Sequence, residues 1–288
     1  MKNEINRALV AKKKIFLFAT ALLMSASMFA KTSVITYTAT EKLPETENTG
    51  SAMGIHLNAF YAADSTQLTF THTFDEGVGT ITFNGELAIV GDRAIYSIPA
   101  LKSITLPESV TAIGEEAFLS NDSLTSITFP ENVTTIGEKA FCYCAALQSI
   151  TFAEGLKTIG KWSFRNCESL KSISIPAGVT TIEDQAFREC FALASVTFLG
   201  NACQNNIGAY TFYEVGKDAP ALLTLPNSWT GSKPDEEGNW CGGKFELAKD
   251  PTTLPQMRAA VKATKVMTNG QVILRAENKN YTILGQEK

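Results

Sequence analysis

One leucine recurs at a constant spacing through the middle of the chain. Starting at Leu101, the same position is filled at every 23rd residue by Leu124, Leu147, Leu170 and Leu193. Each leucine opens a similar segment, so that LKSITLP returns as LTSITFP, LQSITFA, LKSISIP and LASVTFL. A fixed period of this length is typical of a solenoid, in which each repeat forms one coil and contacts its neighbours.

Apolar and hydroxyl side chains alternate at the start of each repeat. Ile104 and Leu106 point to one side and Ser103 and Thr105 to the other, which predicts a strand with one buried face. Because every coil places this strand at the same point, we expect the strands to stack in parallel about 4.8 Å apart. Prolines, which give the ladder no N–H, are expected to end them at Pro107, Pro130, Pro176 and Pro226.

A glycine follows the second isoleucine of three repeats, at Gly114, Gly137 and Gly160, whereas Glu183 takes this place in the fourth. We interpret these glycines as turns that require a positive φ. Degraded copies of the pattern lie around Ile81 and from Leu223 onward. Divergent ends are expected because a terminal coil has one face without a neighbour, and the chain is predicted to form about seven coils.

The pattern L-x-S-I-T-[LF]-P-x-x-V-x-x-I-G-x-x-A-F, followed by a cysteine, resembles the BspA-like class of leucine-rich repeats. The resemblance covers residues 78–226 and implies a β-rich solenoid with a parallel sheet and irregular caps at both ends. It also implies an extracellular bacterial protein of the surface-antigen type, whose relatives are associated with adhesion to host proteins or other cells. It supplies no ligand and no residue-level binding motif.

The segments that flank the repeats differ in composition. In residues 1–30, three lysines precede an apolar run without acids, which predicts a secretory signal peptide. That run is shorter than the roughly 20 residues that a membrane-spanning helix needs. We predict an N-terminal cap at 31–77 and an irregular capping segment at 227–264. The signal peptide and the family resemblance together predict a secreted or surface-displayed bacterial protein without a stable transmembrane segment.

Residues 265–288 predict a β-hairpin tail. Asn269-Gly270 is a typical hairpin turn, with strands at 271–275 and 281–284 and a second turn at 277–280. The sequence of this tail is similar to short C-terminal modules of secreted proteins from the same bacterial group, some of which serve export or surface attachment. A simple cap on the solenoid is the alternative interpretation.

Charge and motif content disfavour several functions. The net charge is −4, and removal of the predicted signal peptide, with five basic residues and one acid, makes it −8. Nucleic acid is therefore a poor candidate partner. The sequence has no G-x-S-x-G, phosphate-binding glycine loop or H-E-x-x-H, and His56 and His72 lie before the repeats and near no cysteine or acidic cluster. We expect no enzymatic activity, no cofactor and no metal site.

Six cysteines raise the question of disulfides. Cys144, Cys167 and Cys190 share one repeat position, with Asn121 in the preceding coil, and are expected to form a buried column of free thiols. Cys142 stands off this column. A bridge between Cys203 and Cys241 is left open because the predicted compartment is oxidising.

Outward positions of the coils are the candidates for binding. Two hydroxyl columns, one of serines beginning at Ser103 and one that begins at Thr105, are expected to serve strand stacking. Trp162, Tyr143, Arg165 and Arg188 vary between repeats and belong to residue types that are enriched at binding hot spots. The leading hypothesis is a binding protein, an adhesin or interaction scaffold for host matrix or other surface proteins. The alternatives are a spacer in the cell envelope and a glycan-binding accessory protein.

Overall fold

The computed structural model describes residues 32–46, 54–56, 59–203 and 205–248, together with the backbone of three strands between 264 and 281. The predicted signal peptide lies outside the described residues. Regular secondary structure in the described part is entirely β-structure, and none of its segments is a helix that could cross a membrane. The chain divides into two units, Met1–Leu247 and Ala248–Lys288.

The strands before and within the early repeats are β1 (Val34–Ala39), β2 (Glu45–Thr46), β3 (Gly54–His56), β4 (Phe60–Tyr61), β5 (Phe70–Asp75), β6 (Val78–Phe83), β7 (Ile89–Val90), β8 (Ile95–Tyr96), β9 (Leu101–Thr105), β10 (Ala112–Ile113), β11 (Ser126–Thr128) and β12 (Thr135–Ile136). The later strands are β13 (Ser149–Thr151), β14 (Thr158–Ile159), β15 (Ser172–Ile175), β16 (Thr181–Ile182), β17 (Ser195–Phe198), β18 (Ala221–Thr224), β19 (Asn239–Trp240), β20 (Gly243–Leu247), β21 (Thr264–Thr268), β22 (Gln271–Ala276) and β23 (Lys279–Tyr281).

A long sheet runs through the repeats in the order β11-β13-β15-β17-β18-β20-β19. All its pairings are parallel except that of β19 with β20, and the register joins equivalent residues, Ser126 with Ser149, Ser149 with Ser172 and Ser172 with Ser195. Parallel pairing without a shift follows from the constant period, because each strand meets its own counterpart one coil away. The prediction of a β-solenoid of about seven coils is confirmed.

A second sheet covers the opposite side of the coils, in the order β16-β14-β12-β10-β7-β4. Its strands are two residues long and pair in parallel from β7 to β16, while β4 closes one edge in the antiparallel sense. The coils that begin at Leu124, Leu147 and Leu170 each contribute one strand to each sheet, and the apolar side chains lie between the two sheets.

The core consists of columns of identical residues. The repeated leucines are at most 1% exposed, as expected for a continuous spine: Leu101, Leu124, Leu147, Leu170 and Leu193. The phenylalanines of the Ala-Phe positions form a second column. Their ring centroids are 4.9 Å apart for Phe118 and Phe141 and 5.3 Å apart for Phe164 and Phe187. These rings are nearly parallel, so each coil packs its phenylalanine face to face on the next.

The buried cysteine column has a hydrogen-bonding role. The Cys144, Cys167 and Cys190 thiols donate to the carbonyls of Phe118, Phe141 and Phe164, respectively, at 3.2 to 3.4 Å, each spanning to the preceding coil. Asn121 takes the same place one coil earlier and donates to Ile95 and Phe118. All six cysteines are free, which confirms the prediction for the column and leaves Cys203 and Cys241 unbridged.

The interpretation of the repeat glycines was wrong. Gly114, Gly137 and Gly160 do not have a positive φ. A Cβ on Gly137 would lie 2.6 Å from the carbonyl carbon of Gly114, and one on Gly160 would lie equally close to Gly137. The glycines are therefore present because the backbones of successive coils approach closely, and not because the turn is left-handed.

The N-terminal end departs from the expectation that every coil's strand stacks in parallel. β1 lies between β6 and β9 and pairs antiparallel with both, in the four-stranded order β5-β6-β1-β9. The strand of the first coil, β6, thus has no parallel partner and shares its edges with β1 and β5. The residues predicted as an irregular cap instead supply a strand that is inserted into the repeat register.

The C-terminal end also contains more regular structure than predicted. Within 227–264, where irregular structure was expected, β20 extends the long sheet by pairing in parallel with β18. In the second unit β21, β22 and β23 form an antiparallel sheet, and β23 begins at Lys279, inside the predicted second turn. The predicted turn at Asn269-Gly270 lies outside the described residues, and the hairpin tail as a domain stays a prediction. The proposed attachment role of this tail stays a prediction.

Candidate functional site

The four residues predicted to bind lie on the turns that follow the second sheet. Two positions of each turn adopt a positive φ between 52° and 61° without being glycine; the first holds Arg93, Glu116, Lys139, Trp162 and Gln185, and the second holds Ser97, Ser120, Tyr143, Asn166 and Glu189. Hydrogen bonds to the next coil fix this conformation, as in Tyr143 N–H to Arg165 O at 2.8 Å. The turns therefore present their side chains at one period, like the strands.

Trp162 is half-buried between two lysines. The Nζ atoms of Lys161 and Lys139 lie 4.2 Å and 5.3 Å from the centroid of its ring, which are distances for cation–π contact. Its Nε1 atom is buried and has no hydrogen-bond acceptor among the described residues. The ring is thus held as a half-buried part of the turn surface.

Tyr143, Arg165 and Arg188 form one connected group. The Arg165 guanidinium lies 6.0 Å from the Tyr143 ring centroid, and both arginines bind the carboxylate of Glu189, Arg165 at 3.2 Å and Arg188 at 3.0 Å. Partial burial acts to raise the pKa of Glu189, but the hydrogen bonds from Arg188 and Arg165 outweigh it and hold that pKa below its ordinary value. The group stays charged and organised before any partner arrives.

The structure extends this group along the molecule in a way that the repeats did not indicate. Towards the N-terminal end, Glu116 binds Arg93 at 2.7 Å and Lys139 at 3.2 Å. Towards the C-terminal end, Arg188 lies 4.6 Å from the ring centroid of Tyr213, which contacts Tyr210. The Arg93 guanidinium also lies 5.6 Å from the ring centroid of Tyr96. We name the aromatic–cation strip by its members: Arg93, Tyr96, Lys139, Tyr143, Lys161, Trp162, Arg165, Arg188, Tyr210 and Tyr213.

Sequence reasoning missed the aromatic residues at the end of the strip. Tyr210 is 54% exposed and Tyr143 is 46% exposed, so both offer more open ring surface than Trp162 does. Tyr210 follows the insertion near residues 201–206, which breaks the period and hides its equivalence to earlier turns. The signal that marks this surface is the alternation of cations and aromatic rings along the molecule. It becomes visible only once the turns of successive coils are stacked.

The other surface of interest is the outward face of the long sheet. It carries eight hydroxyl groups, which we name the hydroxyl array: Ser126, Thr128, Ser149, Thr151, Ser172, Ser174, Ser195 and Thr197. Six of these residues are exposed and the two on β17 are half-buried, which confirms their predicted outward direction. No side chain of the array has a hydrogen-bond partner among the described residues.

The histidines lie in the N-terminal part of the structure and are not accessible for catalysis. His56 is fully buried. The His72 side chain is 1% exposed, and it bonds Tyr37 Oη through Nε2 at 2.5 Å and Glu45 Oε1 through Nδ1 at 2.9 Å. Folding brings the single carboxylate of Glu45 to His72, a contact that the sequence pattern did not indicate. The described residues contain no cluster of three or more potential metal ligands.

A family model described as the BspA type leucine rich repeat region matches residues 35–144 and 88–217, in six copies. Among solved structures, the leucine-rich repeat protein TpLRR of T. pallidum is 32% identical over 43% of this chain and 64% of its own length, with a TM-score of 0.39. A leucine-rich cell surface protein of Faecalibacterium prausnitzii is 23% identical over 70% of this chain and 44% of its own, with a TM-score of 0.39.

The pneumococcal vaccine antigen PcpA is 18% identical over 68% of this chain and 44% of its own length, with a TM-score of 0.46. The chain thus spans less than two thirds of each of these three proteins. A search of curated protein sequences finds no match to the chain.

Proposed function

Since the chain belongs to the BspA-type leucine-rich repeat family, we propose that it is a secreted or surface-displayed adhesin or scaffold that binds a protein partner through the aromatic–cation strip. Family membership supports a role in protein interaction. The finer statements, namely secretion, adhesion and the surface used, are our proposal.

The observation that carries the proposal is the regular placement of rings and cations on stacked turns. Tyrosine, tryptophan and arginine are enriched at the energetically important centres of protein interfaces. In the strip, these side chains are fixed in advance by contacts such as Arg165 with Glu189 and Arg188 with Tyr213. A surface that is already ordered loses less conformational entropy on binding, so more of the contact energy appears as affinity.

Exposed rings are the best positions for a test. We would measure binding of the mature chain to purified extracellular matrix proteins by surface plasmon resonance. Changing Tyr143 and Tyr210 to alanine removes the two most exposed rings of the strip but no ion pair. We expect this variant to weaken saturable binding by about tenfold or more, because loss of two interface rings costs at least ~1.4 kcal/mol.

A matched control lies on another face. Lys157→Ala changes an exposed residue beside the second sheet, away from the turns, and should leave binding intact. Binding that is equally strong in the tyrosine variant would exclude the strip as the interface. Failure of the wild-type chain to bind any matrix protein would favour the spacer hypothesis.

The tail has a separate test of localisation. Cell fractions are compared for the full chain and for a chain ending before Lys265. We expect the full chain at the cell surface and the truncated chain in the medium. Identical distributions would mean that the tail has no role in attachment.

A further inference from the structure

The hydroxyl array is a regular lattice whose members the fold itself does not use for hydrogen bonding. Neighbouring parallel strands are about 4.8 Å apart, and alternate residues of one strand lie roughly 6.6 Å apart. The paired registers Ser126 with Ser149 and Ser172 with Ser195 place the hydroxyls in rows across β11 to β17. Other hydroxyls of the same coils differ from those of the array, because the hydroxyls of Thr111, Thr134 and Thr180 each donate to a carbonyl of the preceding coil.

The array is free of aromatic and charged side chains, and the apolar residues between its members point into the core. Such a surface offers little to the apolar centre of a protein interface. A neutral hydroxyl donates one hydrogen bond and accepts others, which matches a ligand that is itself covered with hydroxyls. An extended chain of sugar rings presents such groups repeatedly along its length.

Charge around the array argues for an uncharged ligand. Glu108, Glu131 and Glu154 occupy equivalent exposed positions just after the strands and border one side of the array. Phosphate, sulfate or uronate groups would meet like charge along this border, and like charges within a few ångströms repel. Lys102 and Lys171 lie at the other border, but Thr125 and Gln148 take the equivalent places between them.

At its N-terminal end the lattice opens into a groove. Thr125 N–H donates to Lys102 O at 3.1 Å, but β9 and β11 form no ladder, and β9 pairs instead with β1 in the N-terminal sheet. A cavity of about 250 Å³ lies at this seam. Its lining includes the residues Ser103, Thr105, Ser126, Thr128 and Glu108, with Phe129 beneath them. Ser103 is held by a 2.6 Å hydrogen bond to Thr38, which fixes one wall.

From this arrangement we propose that the outward face of the long sheet binds an uncharged polysaccharide, with the chain lying across β11 to β17 and one sugar ring seated in the groove between β9 and β11. This site goes beyond the protein-binding strip and lies on a different part of each coil. The groove supplies the depth that a flat row of hydroxyls lacks, and the array supplies repeated hydrogen bonds along the chain.

Affinity gel electrophoresis of the mature protein, with uncharged polysaccharides (xylan, mannan, α-glucan and β-glucan) in the gel, tests the proposal. The variant T128V/T151V removes two hydroxyls from the array while keeping the β-branched shape of the side chains. We expect at least one polysaccharide to retard the wild type, and the variant to bind about tenfold more weakly or worse, because the hydroxyls it lacks donate to and accept from the sugar. The variant T135V/T158V makes the same change on the second sheet and should bind like the wild type.

Thermal unfolding of both variants checks that folding is intact. Retardation by none of the four polysaccharides, or equal retardation of T128V/T151V and the wild type, would overturn the proposal. The Tyr143 and Tyr210 double alanine variant should retain polysaccharide binding. Loss of protein binding with retention of polysaccharide binding in that variant would separate the strip from the array, so the two proposals can fail independently.

Discussion

Replacing Tyr37 with phenylalanine perturbs a buried polar contact that joins three elements of the N-terminal sheet region. Tyr37 on β1 bonds His72 on β5 at 2.5 Å, and His72 bonds Glu45 on β2 at 2.9 Å. The Tyr37 oxygen also accepts the Leu43 N–H at 3.4 Å. The Tyr37 ring passes over Gly79, where a Cβ would lie 1.8 Å from it, so the hydroxyl is directed by packing.

The expected cost follows from the groups that lose a partner. Phenylalanine keeps the stacking on Phe74, with centroids 6.1 Å apart, but leaves His72 Nε2 and the Leu43 N–H buried without a partner. A buried unsatisfied group costs about 1–3 kcal/mol, and we expect β1 to open more easily by that amount. Hydrogen exchange measured by mass spectrometry on peptides from β1 and from β15 would report this locally.

Acid should weaken the same contact. Burial lowers the pKa of His72, and the opposing hydrogen bond to Glu45 does not fully restore it. The opened state, with the ordinary value of 6.5, therefore takes up a proton first as the pH falls. Stability is complete above 6.5 and decreases below it, by ~1.36 kcal/mol for each unit of pKa difference.

Glu45 adds to the loss at lower pH. Partial burial acts to raise its pKa, but hydrogen bonds from His72 and Lys42 hold it below its ordinary 4.5, so its contribution disappears as the pH falls through that lower value. Its side chain is 37% exposed, and solvent screening makes this contribution small.

A variant without the His72 imidazole is the control for the acid effect on β1. His72→Gln removes the titrating group and should abolish the change in β1 exchange between about pH 7.5 and about pH 5.5. Protection of β15 should be unaffected in all variants. Unchanged β1 protection in Tyr37→Phe, or an acid response that survives in His72→Gln, would refute the reasoning.

Two further predictions concern the repeat core. Phe164→Ala should reduce the free energy of unfolding by about 3–5 kcal/mol in urea titrations, because it leaves a gap between two stacked rings, and a loss below ~1 kcal/mol would contradict the packing described. Thiol reagents should react slowly with the folded chain, since burial raises the pKa of Cys142 and Cys203 to about 11 and that of Cys241 to about 12. All six thiols should react once the chain is unfolded, and a smaller number would indicate a disulfide.

The sequence alone was sufficient for three columns of the solenoid in which a residue meets its own counterpart. The Leu101 column, the thiols of Cys144 to Cys190 and the outward hydroxyls were all predicted and confirmed, because in a solenoid the neighbour of a residue lies one period away. Burial and face then follow from the period of two within each strand. The choice of Trp162 and Arg165 as binding residues came from residue type, and it stays a prediction.

Tertiary structure decided the contacts that do not follow the period. β1 inserts between β6 and β9, and Glu45 reaches His72, through pairings over long separations that local pattern does not specify. The close approach of Gly137 to Gly114 does follow the period, but its cause, the short distance between the backbones of successive coils, is seen only in the tertiary structure. The opening between β9 and β11 is likewise a tertiary feature, since β9 pairs with β1 on one edge and forms no ladder with β11 on the other.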